Sequence, residues 1–380
     1  MVTVLQIYLF TLPFALSPGS PWSVPLHLFY VPSLLAFFGL WVLVKGLSLK
    51  GLGAVKYPVL LFFLSLVISV AFSTDREKSF HEFYFYVLFL LSFLVSFSLP
   101  HNDKVRVIKA LLLGALLISL LAIHQYFVVF PDLIDYLKEK QIANPALSHY
   151  VAQKRIFYPF TTPNILGGYL AMLLPLALLL AEGRALILVS VAVALALTQS
   201  LSGLLSAFFA FAVLLSMKGR LNTRTILFLL IVMGAIIALI FFLRTTRCTE
   251  FLQPLFSGSM RFGYWRESVR VITAHPLTGV GLANFDLPQC RFAHNSYLQI
   301  WGEMGVLGIV SFLWLVGAVL VNAWHKMKEP LQRDTLLLLI ASLAAFLFHN
   351  ILDFSFFLPE VSLIGWVLLG LLYSPETKTP

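Results

Sequence analysis

Long apolar runs recur from one end of this chain to the other, and each is about 16 to 22 residues long. A run of that length, wound as a helix with some tilt, can cross a hydrocarbon core of about 30 Å. Hydrophobic residues make up 59% of the 380 residues and charged residues only 11%. Strand-like alternation of apolar and polar residues is missing, which argues against a membrane barrel. The sequence therefore predicts an all-α fold, a polytopic membrane helical bundle.

Twelve of these runs are candidate membrane helices, and an even number places both chain ends on the same side. The loops of one side hold fourteen lysines and arginines, whereas the short loops of the other side hold only Arg76 and Lys78. Because basic loops stay in the cytoplasm, both termini are expected there. The first run lacks a basic leader and a small-residue cleavage site, so we predict a retained helix. The predicted helices cover about residues 2–17, 27–45, 57–73, 80–99, 105–130, 164–181, 185–199, 201–217, 225–243, 304–324, 335–352 and 354–373.

Two long connections interrupt the apolar pattern, at about residues 131–163 and 244–303. Both are predicted to face outward, the second between helices nine and ten, and residues 1–380 are predicted to form a single integral membrane domain. The segment 244–303 carries six arginines and no lysine. The arginine fork binds phosphate oxygens in pairs and stays charged at any working pH. We interpret this segment as a phosphate-handling, catalytic loop with short interfacial helices.

The two cysteines of the chain, Cys248 and Cys290, both fall in the loop 244–303. An oxidising compartment outside the cytoplasm lets disulfides persist, and no other cysteine competes for either partner. We predict that the two form a disulfide, which could contribute about 3 to 4 kcal/mol by the chain-entropy model. The alternative is that they are two separate small hydrophobic residues.

Within the same loop, the stretch from Arg261 to His275 has the pattern of an amphipathic helix that lies in the membrane interface. Trp265 belongs to its apolar side, while Arg266 and Arg270 share another side. These two arginines could contact a substrate or, equally, ordinary lipid headgroups. Arg261 is predicted to lie at the start of the helix, where backbone amides also favour anions.

The segment H-N-S-Y-L-Q, from His294 to Gln299, leads into helix ten. Ser296 and Gln299 have the spacing of a capping box, which predicts that the helix starts at Tyr297 and leaves His294 just before its N-terminus. An imidazole beside arginines and a helix N-terminus favours its neutral form and can accept a proton. The pattern fits a general base or an ordinary hydrogen-bonded structural histidine.

Two shorter motifs lie at other outward helix ends. Arg155 is placed where the chain re-enters the membrane among aromatic residues, and it could equally be an interfacial anchor. The motif T-Q-S-L-S-G, residues 198–203, predicts a tight hairpin between helices seven and eight whose small residues allow close helix packing.

Several other chemistries lack the residues that they need. No cluster of three or four metal ligands and no nucleotide motif is present, so neither a metal nor a cofactor is expected. The outward carboxylates form no obvious pair, which argues against a two-carboxylate hydrolase. We attribute the net charge of +9 to basic residues that orient the loops across the membrane and to arginines that bind phosphate. Nothing in the sequence indicates that the protein binds nucleic acid. A transporter or flippase of lipid-linked sugars stays an alternative, although the charged path that it would need is missing.

Four segments follow one another between Met260 and Gly308: M-R-F-G-Y-W, A-H-P-L-T-G-V-G-L-A-N-F, H-N-S-Y-L-Q and E-M-G-V-L-G. In this order they resemble the O-antigen ligase and O-antigen polymerase family of bacterial envelope proteins. The segment R-I-F-Y-P-F-T-T-P-N-I-L-G-G-Y-L, which begins at Arg155, adds a second match. Twelve helices with a large outward loop before helix ten are similar to the family's architecture as well.

The resemblance implies roles by position. His294 resembles the family's essential histidine, a general base for the acceptor hydroxyl, and Arg261 resembles the loop arginine that holds the donor diphosphate. Arg155 and Arg266 are the further predicted diphosphate ligands. Many members carry an arginine after a serine in the outer turn of helices seven and eight, where residues 200–202 of this chain read Ser-Leu-Ser.

The missing arginine leaves the second phosphate ligand open between Arg155, Arg247 and Arg266. Asn295 and Tyr297, which follow the histidine, are expected to support it.

The resemblance implies a glycosyltransferase of the bacterial inner membrane with its active site on the periplasmic side. Its donor would be a glycan linked to undecaprenyl diphosphate, and its acceptor would be a sugar hydroxyl of the lipid A core. Transfer would need no metal and would invert the configuration at the anomeric carbon. Membrane lipids would surround the protein. An O-antigen polymerase or a protein O-oligosaccharyltransferase with the same donor is the alternative. We favour the ligase because the outward apparatus is concentrated in one loop.

Overall fold

A computed structural model describes the chain at residues 1–17, 23–46, 49–139, 145–247, 256–287, 291–328 and 330–373. The regular structure of this described part is helical. It comprises α1 (Val2–Leu16), α2 (Ser23–Val44), α3 (Lys56–Ala71), α4 (Arg76–Phe97), α5 (His101–His124), α6 (Phe130–Glu139), α7 (Pro145–Ala152), α8 (Pro163–Leu173), α9 (Arg184–Thr198), α10 (Leu201–Met217), α11 (Thr223–Arg247), α12 (Phe256–Ala274), α13 (Ser296–Lys326), α14 (Pro330–Leu352) and α15 (Pro359–Leu372).

The all-helical membrane fold predicted from the apolar runs is confirmed in the described part of the chain. Each of the twelve predicted spans overlaps an apolar helix. Six of these helices are long and apolar enough to cross a membrane, and six more are shorter apolar helices. The protein is therefore a multi-pass membrane protein, while the count of twelve crossings and the cytoplasmic placement of the termini stay predictions.

The centre of the bundle is α15, which is buried from Glu360 to Leu372. It packs most extensively against α4. The indole of Trp366 lies 5.5 Å from the ring of Phe62 in α3 and 6.4 Å from that of Phe89 in α4, measured between centroids. Because lipid is as apolar as these rings, close packing holds such helices together rather than hydrophobic transfer.

Small residues let α10 approach α8 closely, as the motif at residues 198–203 predicts. A Cβ atom added at Gly203 would lie 2.8 Å from the backbone carbon of Gly167, so a larger residue has no room there. The tight hairpin between α9 and α10 is confirmed. It turns at Gln199, in the left-handed conformation with φ of 51°, and the side chain of Ser200 caps α10.

The loop that precedes α13 is wedged against a break in that helix. Gly305 interrupts α13 with φ of 68°, and a Cβ atom there would fall 1.9 Å from the carbonyl oxygen of Leu277. Across the break, the amide of Val280 donates to the carbonyl of Gly302 at 2.9 Å, and that of Val306 donates to the carbonyl of Pro276 at 3.0 Å. The positive φ and the close approach of two backbones both require glycine.

Two helix starts differ from the predicted ones. Helix ten, α13, begins at Ser296, one residue before the start at Tyr297 that the capping pattern predicts, whereas the apolar span predicted from residue 304 starts too late. Glu303 is therefore a buried helical residue and not part of an outward loop. The interfacial helix α12 begins at Phe256, which places Arg261 in its second turn rather than at its start. In both cases polar residues that suggested a loop are carried on a helix instead.

The helix α11 stands almost alone at the edge of the bundle. Its most apolar stretch is only 6% buried, and it packs mainly against α10. Within its described residues the buried ones are Ile240 and Arg244, both in the half that leads toward the loop of residues 244–303. The helix is thus attached to the rest of the protein chiefly near one end.

Candidate active site

A histidine, a carboxylate and an arginine meet at one end of the bundle, which we call the His294 end. His294 Nδ1 lies 3.7 Å from Asp353 Oδ1, and Arg261 Nη2 lies 3.6 Å from Asp353 Oδ2. The Asp353 side chain is only 2% exposed. One buried carboxylate therefore lies between the predicted base and the predicted diphosphate ligand, although His294 lies just before α13 and Arg261 lies in α12.

The imidazole of His294 is fixed by its surroundings. The residue takes a positive φ of 49° just before α13. Its ring stacks on Tyr264 with centroids 5.6 Å apart and meets the ring of Phe354 edge-on at 4.9 Å. With Nδ1 turned toward Asp353, Nε2 lies on the opposite edge of the ring. That orientation suits a base whose second nitrogen is held by a carboxylate.

The helix cap beside His294 differs from the predicted one. Asn295, not Ser296, caps α13, and its side chain accepts hydrogen bonds from the amides of Tyr297 and Leu298 at 3.0 and 3.1 Å. The hydroxyl of Ser296 instead donates to the side-chain oxygen of Asn350 in α14 at 2.7 Å. Ser296 is buried against a neighbouring helix, so its hydroxyl is used between helices rather than for capping.

Gln299 and Tyr297 brace the same region. The side chain of Gln299 accepts from the amide of Ala293 at 3.2 Å and donates to the Glu303 carboxylate at 2.9 Å. The Tyr297 hydroxyl donates to the carbonyl of Leu347 at 2.7 Å. Asn295 and Tyr297 thus stabilise the backbone around His294 through hydrogen bonds.

Two further arginines lie side by side at the α9–α10 turn. Arg155 Nε donates to the carbonyl of Thr198 at 3.0 Å, and Arg244 donates through Nη2 to the next carbonyl, that of Gln199, at 2.6 Å. Both residues are buried, at 7% and 8% exposure. Arg155 also donates to the side-chain oxygen of Asn164 at 3.1 Å and lies over the ring of Tyr150. Because both arginines donate to the α9–α10 turn, guanidinium groups from distant parts of the chain lie near each other.

Arg155 lies close enough to both Arg244 and Arg261 for their charges to interact. Burial, and then the positive charges of Arg244 and Arg261, lower the pKa of Arg155. Burial, with the charges of Arg155 and Arg244, lowers the pKa of the neighbouring His149 to about 4. Like charges held together in a poorly solvated place favour the binding of an anion among them. We call Arg155, Arg244 and Arg261 the arginine trio.

The carboxylate of Asp353 is ionised at any working pH. Burial by itself would raise its pKa, but the contact with His294 and the electrostatic interactions with His349, His294 and Arg261 lower the pKa to about 2. An ionised carboxylate beside Nδ1 favours an N–H at that nitrogen, which leaves Nε2 as the nitrogen with the lone pair.

Arg266 is placed differently from the trio. Its side chain is 75% exposed and lies 3.8 Å from the carboxylate of Glu267. Arg270 is 68% exposed and pairs with the same glutamate at 2.9 Å. Five residues along an α-helix turn a side chain about 140° away, so Arg266 faces another direction than Arg261. Its predicted role as a diphosphate ligand has no geometric support.

Two residues of this site are not predicted by the sequence motifs. Arg244 is one of the six arginines in the loop of residues 244–303, with no motif that gives it a role of its own, and Asp353 belongs to none of the motifs. A signal for Asp353 existed: it is a carboxylate between two apolar helices, where ionisable groups are costly and usually functional. The signal for Arg244 was weaker, since a basic residue at a helix end is commonly an interfacial anchor.

Some predictions lie outside the described residues. Cys248 and Cys290 both do, so the predicted disulfide stays a prediction, and the side chain of Arg247 does too. Among the residues that are described, no three His, Cys, Asp or Glu side chains gather as metal ligands would.

Comparison with known proteins agrees with the motifs. No curated protein sequence matches the chain significantly. A family model described as O-antigen ligase matches residues 185–313, which run from α9 into α13 and include Arg244, Arg261 and His294. Arg155 and Asp353 lie outside the matched region. The resemblance seen in the motifs is thereby confirmed over residues 185–313, which are similar to the O-antigen ligase family.

Proposed function

We propose that the protein transfers a glycan from undecaprenyl diphosphate to a sugar hydroxyl of the lipid A core at the His294 end of the bundle, on the periplasmic side of the inner membrane. The observation that carries the proposal is the joint placement of a base and an anion site. His294 shares the buried Asp353 with Arg261, and Arg261 and Arg244 each lie within charge range of Arg155. Acceptor activation and leaving-group stabilisation would thus occur side by side.

The bond changes assign a task to each group. The acceptor hydroxyl gives its proton to His294 Nε2, and its oxygen bonds to the anomeric carbon of the donor sugar. The bond from that carbon to the diphosphate oxygen breaks, and the lipid diphosphate leaves with the electron pair. Attack from the face opposite the leaving group inverts the anomeric centre.

The arginine trio would act most strongly in the transition state. Negative charge grows on the diphosphate as its bond to the sugar breaks, and fixed positive groups stabilise that developing charge without reorganising. The guanidinium groups of Arg155 and Arg244 are already oriented by backbone carbonyls. Arg244 would then provide the second phosphate ligand that residues 200–202 lack, because it donates to the carbonyl that directly precedes them.

Asp353 would be a positioning residue. It fixes the His294 ring through Nδ1, and its charge stabilises the imidazolium that forms when Nε2 accepts the proton. The same carboxylate orients Arg261, which links proton transfer to diphosphate binding through one side chain. We expect neither step to need a nucleotide.

The acceptor separates the ligase from its alternatives. Purified protein in detergent would be given an undecaprenyl-diphosphate glycan with lipid A core, and the products analysed by mass spectrometry. We expect glycan on the core, lost in His294→Ala and kept in His325→Ala, which changes an exposed histidine in the last turn of α13. Extension of the donor glycan would instead establish a polymerase, and transfer to a protein hydroxyl a protein ligase.

If nothing formed while lipid-linked sugar crossed a vesicle membrane, the enzyme proposal itself would fail in favour of a flippase. Equal activity of wild type and His294→Ala would leave transfer in place and remove the proposed base.

A further inference from the structure

A basic pocket lies at the end of the bundle opposite the His294 end, between the α10–α11 turn and the α13–α14 turn. α10 and α13 both run away from the His294 end and α14 returns to it, so these two turns meet at the far end. The pocket has a volume of about 550 Å³. It carries a net positive charge, because its described lining includes four cations and one carboxylate: Lys218, Arg220, Lys328, Arg333 and Asp334.

The backbone that carries two of these cations is held by hydrogen bonds at the end of α10. Gly219 takes a φ of 65°, and the amide of Arg220 donates to the carbonyl of Leu215 at 2.8 Å. This is the pairing of a Schellman motif, in which a glycine of left-handed conformation ends a helix. The carbonyl of Arg220 in turn accepts from the hydroxyl of Thr225 at 3.2 Å. Lys218 and Arg220 therefore extend from an ordered turn.

The gathering of these cations exceeds what membrane topology requires. Basic loop residues orient a membrane protein by their number on one side, in no particular arrangement. Elsewhere at the same end of the bundle, Arg106 Nη1 lies 3.1 Å from Asp103 Oδ1, and the Lys104 ammonium donates to a backbone carbonyl at 2.8 Å. Within the described ranges of the chain, by contrast, none of the four cations of the basic pocket forms an ion pair. Like charges gathered in this way favour the binding of an anion among them.

Helix ends account for two of the cations but not for a third. Lys218 and Lys328 follow the C-termini of α10 and α13, where the helix dipole favours a positive charge. Arg333 is the fourth residue of α14, near an N-terminus whose dipole disfavours a cation. An anion in the basic pocket would compensate for that placement, because the same N-terminus favours negative charge.

Apolar surface beside the basic pocket points to a lipid rather than to a free phosphate. Met327 and Leu337 line the pocket together with the cations. A neighbouring apolar groove of about 260 Å³ is lined by Leu221, which follows Arg220 directly, and by Ile226 of α11. The most apolar stretch of α11 is only 6% buried, so this helix is exposed to the membrane. Cationic and apolar surfaces thus adjoin at neighbouring residues, as the phosphate and the acyl chains of a phospholipid do.

We infer that the basic pocket binds the phosphate of an anionic phospholipid whose acyl chains lie against α11. This inference is independent of the proposed function, since the pocket lies at the other end of the molecule. A headgroup without an amine, such as that of phosphatidylglycerol, has a net negative charge that suits the four cations. The amine of a zwitterionic headgroup would meet like charges there. The bound lipid would connect the two turns and so hold the less buried end of α11.

Native mass spectrometry identifies the lipid that stays bound. Full-length protein in detergent would be mixed with phosphatidylglycerol or with phosphatidylcholine of the same acyl chains, and the bound lipid quantified. We expect phosphatidylglycerol to bind more tightly. Arg220→Gln and Arg333→Gln should each weaken its binding about fivefold, the usual contribution of one basic residue near an anionic lipid. Arg224→Gln is the matched control, because Arg224 is an exposed cation of α11 that does not line the pocket.

Two results would overturn the inference. Equal binding of the two lipids, or an equal loss in Arg224→Gln, would show attraction by surface charge alone. Displacement of phosphatidylglycerol by inorganic phosphate would assign the pocket to a free anion instead of a lipid.

Thermal denaturation gives a second test that also checks folding. In phosphatidylcholine, wild type and the three variants should unfold at the same temperature. Phosphatidylglycerol should raise the Tm of wild type and Arg224→Gln more than that of Arg220→Gln and Arg333→Gln, since a ligand that binds only the folded state stabilises it. A rise of the same size in all four proteins would contradict the basic pocket as the binding site. Neither measurement involves glycosyl transfer, so each is decided separately from the proposed function.

Discussion

Two arginines on one helix, Arg261 and Arg266, illustrate how much burial changes the meaning of a charge. The side chain of Arg261 is 17% exposed and faces the buried Asp353, whereas that of Arg266 is 75% exposed beside Glu267. Exposed ion pairs are screened by water and salt and contribute little. A charge next to a buried carboxylate lies where the effective dielectric constant is lower, so it interacts more strongly with neighbouring charges. The comparison teaches that the number of arginines in the loop matters less than which of them are turned inward.

The same distinction divides the arginines at the His294 end. Arg155 and Arg244 are buried and donate to successive carbonyls, so their guanidinium groups have fixed directions. Arg266 and Arg270 share a glutamate at the surface. Fixed groups can stabilise a developing charge without reorganisation, and mobile ones cannot do so to the same degree.

The largest effect is expected at His294. Replacing it by alanine removes the acceptor for the hydroxyl proton, and we expect turnover to fall by about 10² to 10⁴-fold. Donor binding should change little, because the arginine trio is retained. Single-turnover transfer with radiolabelled glycan measures the first quantity, and equilibrium binding of undecaprenyl diphosphate the second. A variant that keeps more than half of the activity would place the base elsewhere.

Loss of one member of the arginine trio comes next. For Arg244→Ala we expect turnover to fall by about 10² to 10³-fold, as when one electrostatic donor is removed from an active site. Arg244→Lys keeps the charge without the planar fork and should recover part of the loss. Gel filtration and thermal denaturation in detergent check that both variants are folded. Identical defects in the two variants would show that geometry, and not charge, is what matters there.

A smaller loss is expected for Asp353→Asn, which keeps the shape of the side chain. Misorientation of His294 and Arg261 should lower turnover by about 10- to 100-fold, the usual range for a residue that orients a functional ligand. Because a positioning residue does not touch the acceptor, KM for the acceptor should stay near the wild-type value. An unchanged turnover would mean that the His294 ring is held by Tyr264 and Phe354 alone.

The lowered pKa of His149, which lies near Arg155 and Arg244, predicts how the stability of the protein depends on pH. His149 takes up a proton only near pH 4 when folded, where burial and two arginines lower its pKa, but near pH 6.5 when unfolded. The unfolded state therefore binds more protons between these values, and stability should fall as pH drops from about 6.5 to 4. Thermal denaturation across this range should show a shallower decline in His149→Asn, and in Arg244→Ala as well. An equal decline in all three proteins would show that protonation of His149 near these arginines does not cause the loss of stability.

The smallest effect is expected at the surface. Arg266→Ala and Arg270→Ala should change turnover by less than about fivefold, since exposed pairs contribute at most about 1 kcal/mol. The same transfer assay at two salt concentrations gives the measurement. A loss comparable to that of Arg244→Ala would mean that α12 turns its other face to the donor during the reaction.

The membrane fold and the importance of the loop were accessible from the sequence because both follow from local pattern. Apolar length predicts helices, and the motif around His294 predicts a polar helix entrance, even though Asn295 rather than Ser296 forms the cap. The site itself depends on residues that only packing brings together. Asp353 follows α14 and Arg155 precedes α8, and no periodicity connects either to His294.

Burial was the second property that the sequence could not supply. Arg261, Arg266 and Arg270 lie within ten residues of each other in one amphipathic stretch, and a helical pattern separates their faces without saying which face is covered. Arg261 is the one that faces Asp353, a residue after α14. Arg244 is distinguished by the α9–α10 turn, because the carbonyl of Gln199 accepts its hydrogen bond.

The most direct test of the central claim is the binding of undecaprenyl diphosphate to wild type, Arg244→Ala and Arg266→Ala in nanodiscs, measured by competition with a labelled analogue. We predict that Arg244→Ala weakens binding at least about tenfold, since a hydrogen bond to a charged group contributes about 1.5 to 3 kcal/mol. Arg266→Ala should bind like wild type. Equal affinity of wild type and Arg244→Ala, or a loss confined to Arg266→Ala, would contradict the assignment of diphosphate binding to the buried arginines.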